Sequence, residues 1–238
     1  MSRRMPDSAP IARTPVDDLL PVGPRLAVPA YFGPWQKDDW TAVRRDRPAV
    51  VVINPANGPG TAPTAAYKRL TKSLQLGGTA VLMYVHTGYL TRPRHEMVLD
   101  AERAAAWFAV DGVFFDEVAA EDSRPVRSSL DFLAGLSPGV CVFNAGREVP
   151  QRWFQRWPHA SFVTFEGSAG QFVQRFGTGP CPQVTGPADR QWWLVHSLAP
   201  RYHARYWRLL EQAGVGYGYL TNDRLPNPWD VYVPPRRG

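Results

Sequence analysis

Eight short runs of β-branched, aromatic and other apolar residues recur along this chain, and the segments between them carry helical spacing. The runs are Leu26 to Phe32, Ala49 to Pro55, Thr79 to Thr87, Gly112 to Val118, Val140 to Ala145, Ser161 to Gly167, Gln191 to Ser197 and Val215 to Thr221. Several, such as Val50 to Ile53 and Val113 to Phe115, are apolar without alternation. That is the pattern of parallel strands covered on both faces. Between them, Met97, Ala101, Ala104, Ala105 and Phe108 line one face of a helix expected over Arg94 to Ala109. Tyr202, Tyr206, Leu209, Leu210 and Ala213 repeat that spacing. A third helix is expected from Thr64 to Leu76, with a left-handed stop at Gly77 and Gly78. Weaker helical segments follow the first, fourth, fifth and sixth runs.

The mean strand-to-strand interval of about 27 residues is near the roughly 30 per unit of a typical (β/α)8 barrel. The competing arrangement is a doubly wound open sheet. A nucleotide-binding open sheet would show a glycine-rich phosphate turn after an early strand. Asn57-Gly58-Pro59-Gly60 follows the second run but lacks both the G-x-G-x-x-G spacing and the Lys-Ser/Thr of a P-loop. The better fit is an α/β fold made of one TIM-type barrel. Residues 26–238 form that domain, and residues 1–25, rich in proline and without periodicity, are expected to be a flexible N-terminal arm.

Composition narrows the function classes. With 238 residues, 44% of them apolar, the chain can bury roughly three quarters of its unfolded surface and needs no metal or disulfide as a staple. No apolar run approaches the roughly 18 residues of a membrane helix, so no membrane insertion is expected. Met1 to Pro24 lacks the apolar core of a secretory signal, so the chain as written reads as cytoplasmic. The net charge of +6 comes from 24 Arg and 3 Lys scattered without a basic block, which reads as solvated surface rather than a nucleic-acid footprint. Cys141 and Cys181 have no C-x-x-C spacing and no neighbouring His, so neither a disulfide nor a metal site is expected.

In a barrel the chemistry gathers where the strands' carboxyl ends and the following loops converge. At or just past their carboxyl ends the eight runs carry Tyr31, Asn54, His86, Asp116 with Glu117, Asn144, Glu166, His196, and the trio Thr221, Asn222 and Asp223. The opposite ends show no such series. Alternation places Leu82, Tyr84 and His86 on one face, Phe114 with Asp116, and Phe162 with Thr164 and Glu166. Asp116 is then the first candidate for an axial carboxylate. Glu117 points the other way unless a local twist or bulge turns it into the mouth. Facing carboxylates suit glycoside hydrolysis, in which one protonates the leaving oxygen while the other attacks the anomeric carbon or activates water. Asp116 and Glu166, from the fourth and sixth strands, could stand at a separation compatible with either stereochemical outcome. The bland alternative for Glu166 is an ion pair with Arg175.

Tyr31, Trp35, Tyr84, Tyr89, Tyr219 and Trp229 lie in or just beyond strand ends, where flat rings could stack on sugars, although any single ring could equally be core. The first strand lacks the H-x-H of a metal-dependent amidohydrolase, and no G-x-S-x-G nucleophile elbow is present. His86 and His196 read as hydrogen-bonding groups rather than metal ligands. No cofactor is expected.

Six segments together resemble the spherulation-specific family 4 proteins, whose fungal members include those of glycoside hydrolase family 135. They are Val28-Pro29-Ala30-Tyr31-Phe32, Val52-Ile53-Asn54-Pro55 with Asn57-Gly58-Pro59-Gly60, Tyr84-Val85-His86-Thr87-Gly88-Tyr89, Asp111 through Glu117, Phe165-Glu166-Gly167 and Asn227-Pro228-Trp229-Asp230. The resemblance spans about Leu26 to Asp230. It implies a barrel that cleaves α-1,4-linked galactosamine or N-acetylgalactosamine polymers from within, with Asp116 as nucleophile, Glu166 as general acid/base and Glu117 assisting. From the strand-end series and its aromatics, Tyr31, Asn54, Tyr84, His86, Asn144, His196, Tyr219 and Asp223 are expected to contact substrate. It also implies an extracellular setting if a leader is missing. The expected partner is a hexosamine-containing glycan, bound by a monomer. The rival from another class is a catalytically silent carbohydrate-binding or spore- or wall-associated barrel.

Overall fold

The structure is a computed structural model that describes residues 23–137, 139–177 and 182–235. Most of the expected N-terminal arm lies outside the described residues, as does Cys181. Within them, eight strands alternate with seven α-helices: β1 Arg25–Ala30, α1 Lys37–Asp46, β2 Val50–Ile53, α2 Ala65–Leu76, β3 Ala80–His86, α3 Arg94–Arg103, β4 Gly112–Asp116, α4 Arg124–Leu136, β5 Val140–Asn144, α5 Gln151–Arg156, β6 Ala160–Ser168, α6 Ala169–Phe176, β7 Gln191–His196, α7 His203–Ala213 and β8 Tyr217–Leu220. Every strand pairs in parallel with the next, and β8 returns to β1, so the sheet closes into a (β/α)8 barrel. None of the described helices is long and apolar enough to cross a membrane.

Closure explains the unbroken apolar runs. Residues of one parity fill the barrel, and residues of the other pack under the helices. The Phe114 ring of β4 meets Trp192 of β7 at 5.9 Å, and Trp192 stacks on Tyr217 of β8 at 4.8 Å. Since β4 and β7 are not neighbours, the first contact crosses the interior. Arg25 caps the lower end with its guanidinium 4.1 Å from the Tyr217 ring. On the outer face Phe162 packs on Phe154 of α5, and Trp193 stacks on Phe176 of α6.

Two helix boundaries differ in detail from the periodicity. The helix expected over Arg94 to Ala109 is α-helical only to Arg103. A π-helical turn, Ala104–Phe108, completes it, and Ala109 ends it with φ of 51°. The wider turn keeps Phe108 edge-on to Tyr67 of α2 at 6.3 Å. At the end of α2, Gly77 stays right-handed and Gly78 alone adopts positive φ, at 85°.

One irregularity in the sheet positions the site. The register between β6 and β7 runs Val163↔Trp192 and then Phe165↔Trp193, leaving Thr164 as the extra residue of a β-bulge. Phe162 and Phe165 therefore both face the helices, Phe165 resting on Phe172 and Phe176 of α6. Thr164 faces outward too, accepting from Trp193 Nε1 at 3.2 Å and donating to Gln191 Oε1 at 2.7 Å. The expectation that Phe162, Thr164 and Glu166 share a face is thus corrected. Unbroken alternation would leave Glu166 on the outer face with Phe162, and the bulge shifts the phase by one residue and turns it inward. Ser168, the last residue of β6, then caps α6 in a reciprocal pair with Gln171. Glu166 consequently stands on a strand that passes straight into a capped helix.

Candidate active site

Three neighbouring strand ends carry the most tightly coupled group in the mouth. Asn144, ending β5, donates from Nδ2 to Asp116 Oδ1 of β4 at 2.6 Å and to Glu166 Oε2 of β6, also at 2.6 Å. Both oxygens are that distance from the same nitrogen, so they lie at most twice as far from each other, about 5 Å. The Asn144 side-chain Oδ1 is engaged as well, accepting the Gly146 N–H at 2.8 Å. Gly146, with φ of 62°, in turn accepts the Glu166 N–H through its carbonyl at 3.1 Å. The clamp therefore fixes both acids and the turn between them.

Environment separates the two carboxyls. Burial, followed by the negative charge of Asp116, pushes Glu166 up to about 7, against the hydrogen bonds from Asn144 and from Trp229 Nε1 at 3.2 Å. Asp116 is also raised by burial. It is opposed by more donors: the Glu117 N–H, the Tyr84 hydroxyl and the Asn144 amide. The pair thus favours a proton on Glu166 and a charge on Asp116. Tyr84 and Tyr31 stay neutral, since burial and then the adjacent acids raise both hydroxyls. Their rings meet edge-on at 5.3 Å below the acids.

Glu117 does enter the mouth. Its φ of 56° is left-handed, unusual for a residue with a side chain. The Thr87 hydroxyl donates to its carbonyl at 2.7 Å. With Asp116, Asn144, Glu166 and Tyr89 it lines a cavity of about 240 Å³. The expected aromatics divide. Trp35 and Tyr89 are 76% and 67% exposed, whereas Tyr84, Tyr219 and Trp229 are buried. Tyr219 accepts the Val233 N–H at 2.8 Å and stacks on Tyr232, so its ring is held beneath the chain's last described segment. Trp229 orients Glu166 instead of offering a free ring. That bond was not foreseen, although Asn227-Pro228-Trp229-Asp230 had been singled out as a motif.

The remaining strand-end groups are spent on loops. Asn54 Oδ1 accepts the Gly58 N–H at 2.8 Å. His86 is half-buried, its Nδ1 3.5 Å from Asn57 Nδ2. His196 is buried against Ser197 Oγ at 3.0 Å and edge-on to Trp229, and burial lowers its proton affinity. Thr221 and Asp223 close the β8 turn, where Asp223 shares a carboxyl contact with Asp230. The alternative ion pair of Glu166 with Arg175 does not form, because Arg175 pairs with Glu148. Among the described residues, no three His, Cys, Asp or Glu side chains converge as a metal site. Cys141 is buried with its thiol pushed up to about 12.

The architecture has solved counterparts. Aspergillus clavatus Sph3, in a structure described as a complex with GalNAc, aligns with a TM-score of 0.69 at 26% identity, covering 86% of this chain and 92% of Sph3. A GH18 chitinase from Pseudoalteromonas aurantia aligns with a TM-score of 0.47 at 11% identity, over 83% of this chain and 93% of the chitinase. Among curated proteins none matches the sequence significantly. The family model of spherulation-specific family 4 matches residues 25–234, which include all eight strands and every residue of the acid cluster, and the chain belongs to that family.

Proposed function

We propose that this protein is a retaining glycoside hydrolase acting within α-1,4-linked galactosamine or N-acetylgalactosamine chains. The observation that carries the reading is the Asn144 bridge. It holds the nearest oxygens of the two carboxyls no more than about 5 Å apart, a close approach that supports the short carboxyl spacing of retaining enzymes, roughly 5–5.5 Å. The likeness to Sph3, solved with GalNAc, supports a hexosamine as the sugar.

In the first step Asp116 attacks the anomeric carbon while the Glu166 proton moves to the departing glycosidic oxygen, leaving a glycosyl ester on Asp116. In the second, the Glu166 carboxylate takes a proton from water, the water oxygen attacks the same carbon, and Asp116 leaves as carboxylate. The preference for a proton on Glu166 and a charge on Asp116 is the starting state this sequence needs. Glu117, lining the same cavity, binds the sugar, and the exposed Tyr89 ring offers it an apolar face. Attack on internal bonds is what the family resemblance implies.

The test is release of new reducing ends from partly N-acetylated α-1,4-galactosamine oligomers. Asp116→Asn and Glu166→Gln should each reduce it by ~10³-fold or more with the fold intact. Wild-type protein that binds these oligomers without cleaving them would favour the silent-barrel reading. Turnover of fully deacetylated oligomer would exclude a route through the substrate's own acetamido group.

A further inference from the structure

β8 ends at Leu220 and closes the sheet, so the chain beyond it is not needed to complete the barrel. That segment nevertheless runs back as a strap and fastens to the first βα unit. The Trp229 carbonyl accepts the Tyr31 N–H at 3.0 Å, the Asp230 carbonyl accepts from Gln36 Nε2 at 3.0 Å, and the Tyr232 N–H donates to Asp39 Oδ1 at 3.0 Å. The Tyr232 hydroxyl reaches Asp46 Oδ2 at 2.9 Å. Within the strap Trp229 is buried, its ring edge-on to His196 and tilted against Tyr219. Held there, its indole N–H donates to Glu166 Oε1 at 3.2 Å, across 63 positions of sequence.

An indole N–H donates and cannot accept. The Asn144 amide cannot be turned to accept either, because its Oδ1 already takes the Gly146 N–H. Glu166 thus has a donor on each carboxyl oxygen, Trp229 on Oε1 and Asn144 on Oε2. Such bonds are strongest when the carboxyl is charged, the state Glu166 enters each time its proton passes to the glycosidic oxygen. Burial and the charge of Asp116 oppose that state. Once Asp116 is esterified its charge is gone, and both donors remain. We infer that Trp229 is a positioning residue for the general acid/base, its N–H carried by the strap to fix Glu166 Oε1 and to stabilise the carboxylate left when the proton departs. Being buried, it acts through Glu166 and not on the sugar. Its catalytic meaning rests on the glycosidase reading, whereas the hydrogen bond can be tested without substrate.

The substrate-free test follows the Trp229 indole N–H by NMR in protein carrying isotope-labelled tryptophan, the resonance being assigned by its proximity to the His196 ring. It should move with pH about a midpoint near 7 and show no such step in Glu166→Gln. The other titratable groups around this point are Asp116 and Glu117 in the cavity, the Tyr31 and Tyr84 hydroxyls, and His196 beside the indole. A step near 7 that survives Glu166→Gln belongs to one of those groups and overturns the role, as does a wild-type resonance that ignores pH. In cleavage of galactosamine oligomers, Trp229→Phe keeps a ring in the slot and removes the donor. It should lower kcat about tenfold with KM within about twofold, and the basic limb of the pH–rate profile should move upward, because a bond that favours the charged form is lost. Gln36→Ala, which frees the strap at Asp230, should give a smaller loss with the same direction of shift, and it carries the prediction if Trp229→Phe does not fold. A basic limb that stays in place would overturn the role. Wild-type protein that cleaves nothing would defeat the hydrolase reading and leave the NMR result standing; cleavage by a protein whose indole is blind to Glu166 would do the reverse.

Discussion

The two halves of the barrel mouth use the same kinds of residue to different ends. On the β4–β6 side, Asp116, Asn144 and Glu166 are bonded to one another, and the acids face a common cavity. On the side formed by β1, β2, β7 and β8, Asn54 fastens the Gly58 turn, Asp223 accepts the Arg224 N–H, and Tyr219 accepts the Val233 N–H. Both halves look equally polar along the chain. The difference is whether a side chain's hydrogen-bonding capacity is spent on its own loop or on a shared centre. On the β4–β6 side the tuned carboxyls share one amide and one cavity, whereas the Asp223–Asp230 contact joins two residues of the segment after β8 and lines none of that cavity.

Removing the shared centre should have the largest effect. Asn144→Ala deletes both bonds to the acids and the support of Gly146, so kcat should fall by about 10²-fold. Because those bonds lower both carboxyls, the pH–rate profile should also move upward. An unshifted profile would show that the clamp is structural only.

Glu166 should reveal its environment through stability. Its proton affinity is raised from the ordinary 4.5 to about 7 in the folded protein. The fold therefore binds the extra proton between those values, and stability is lost as pH rises through about 7. Glu166→Gln escapes that loss. It should stabilise the protein on the order of 2–3 kcal/mol at pH 8 and little at pH 4, measured by urea unfolding at the two pH values. Equal effects at both would contradict a buried, raised carboxyl.

The bulge comes next. Thr164→Val keeps the shape but strands Trp193 Nε1 and Gln191 without their hydroxyl partner, costing about 1–3 kcal/mol. The loosened phase of β6 should lower kcat about tenfold with KM little changed. On the opposite half, Asn54→Ala should cost about 1 kcal/mol through its turn, and kcat/KM should change by less than about threefold. A larger catalytic loss there would make the two halves alike.

Much of this was legible from residue order. The recurring runs of β-branched, aromatic and apolar residues located every strand to within two residues at either end, because strands covered on both faces are mostly apolar. Strand-end polarity selected Asp116, Asn144 and Glu166 by the same logic. Three features were not legible. The bulge at Thr164 depends on how Trp193 and Gln191 pack against it, and simple alternation assigned Glu166's neighbours to the wrong face. The inward turn of Glu117 needs a left-handed backbone that no local glycine announces. The covering of Tyr219 depends on residues about a dozen positions further along the chain, a long-range contact with no local periodic signature.

The most direct test is the anomeric configuration of the first product, followed by proton NMR during cleavage of an α-linked N-acetylgalactosamine oligomer. Acids bridged by one amide nitrogen predict that the α-anomer appears first and the β-anomer only later, by mutarotation. A β-anomer at the earliest time point would mean that water, not Asp116, attacks the sugar, and the pairing of Asp116 with Glu166 would lose its catalytic meaning.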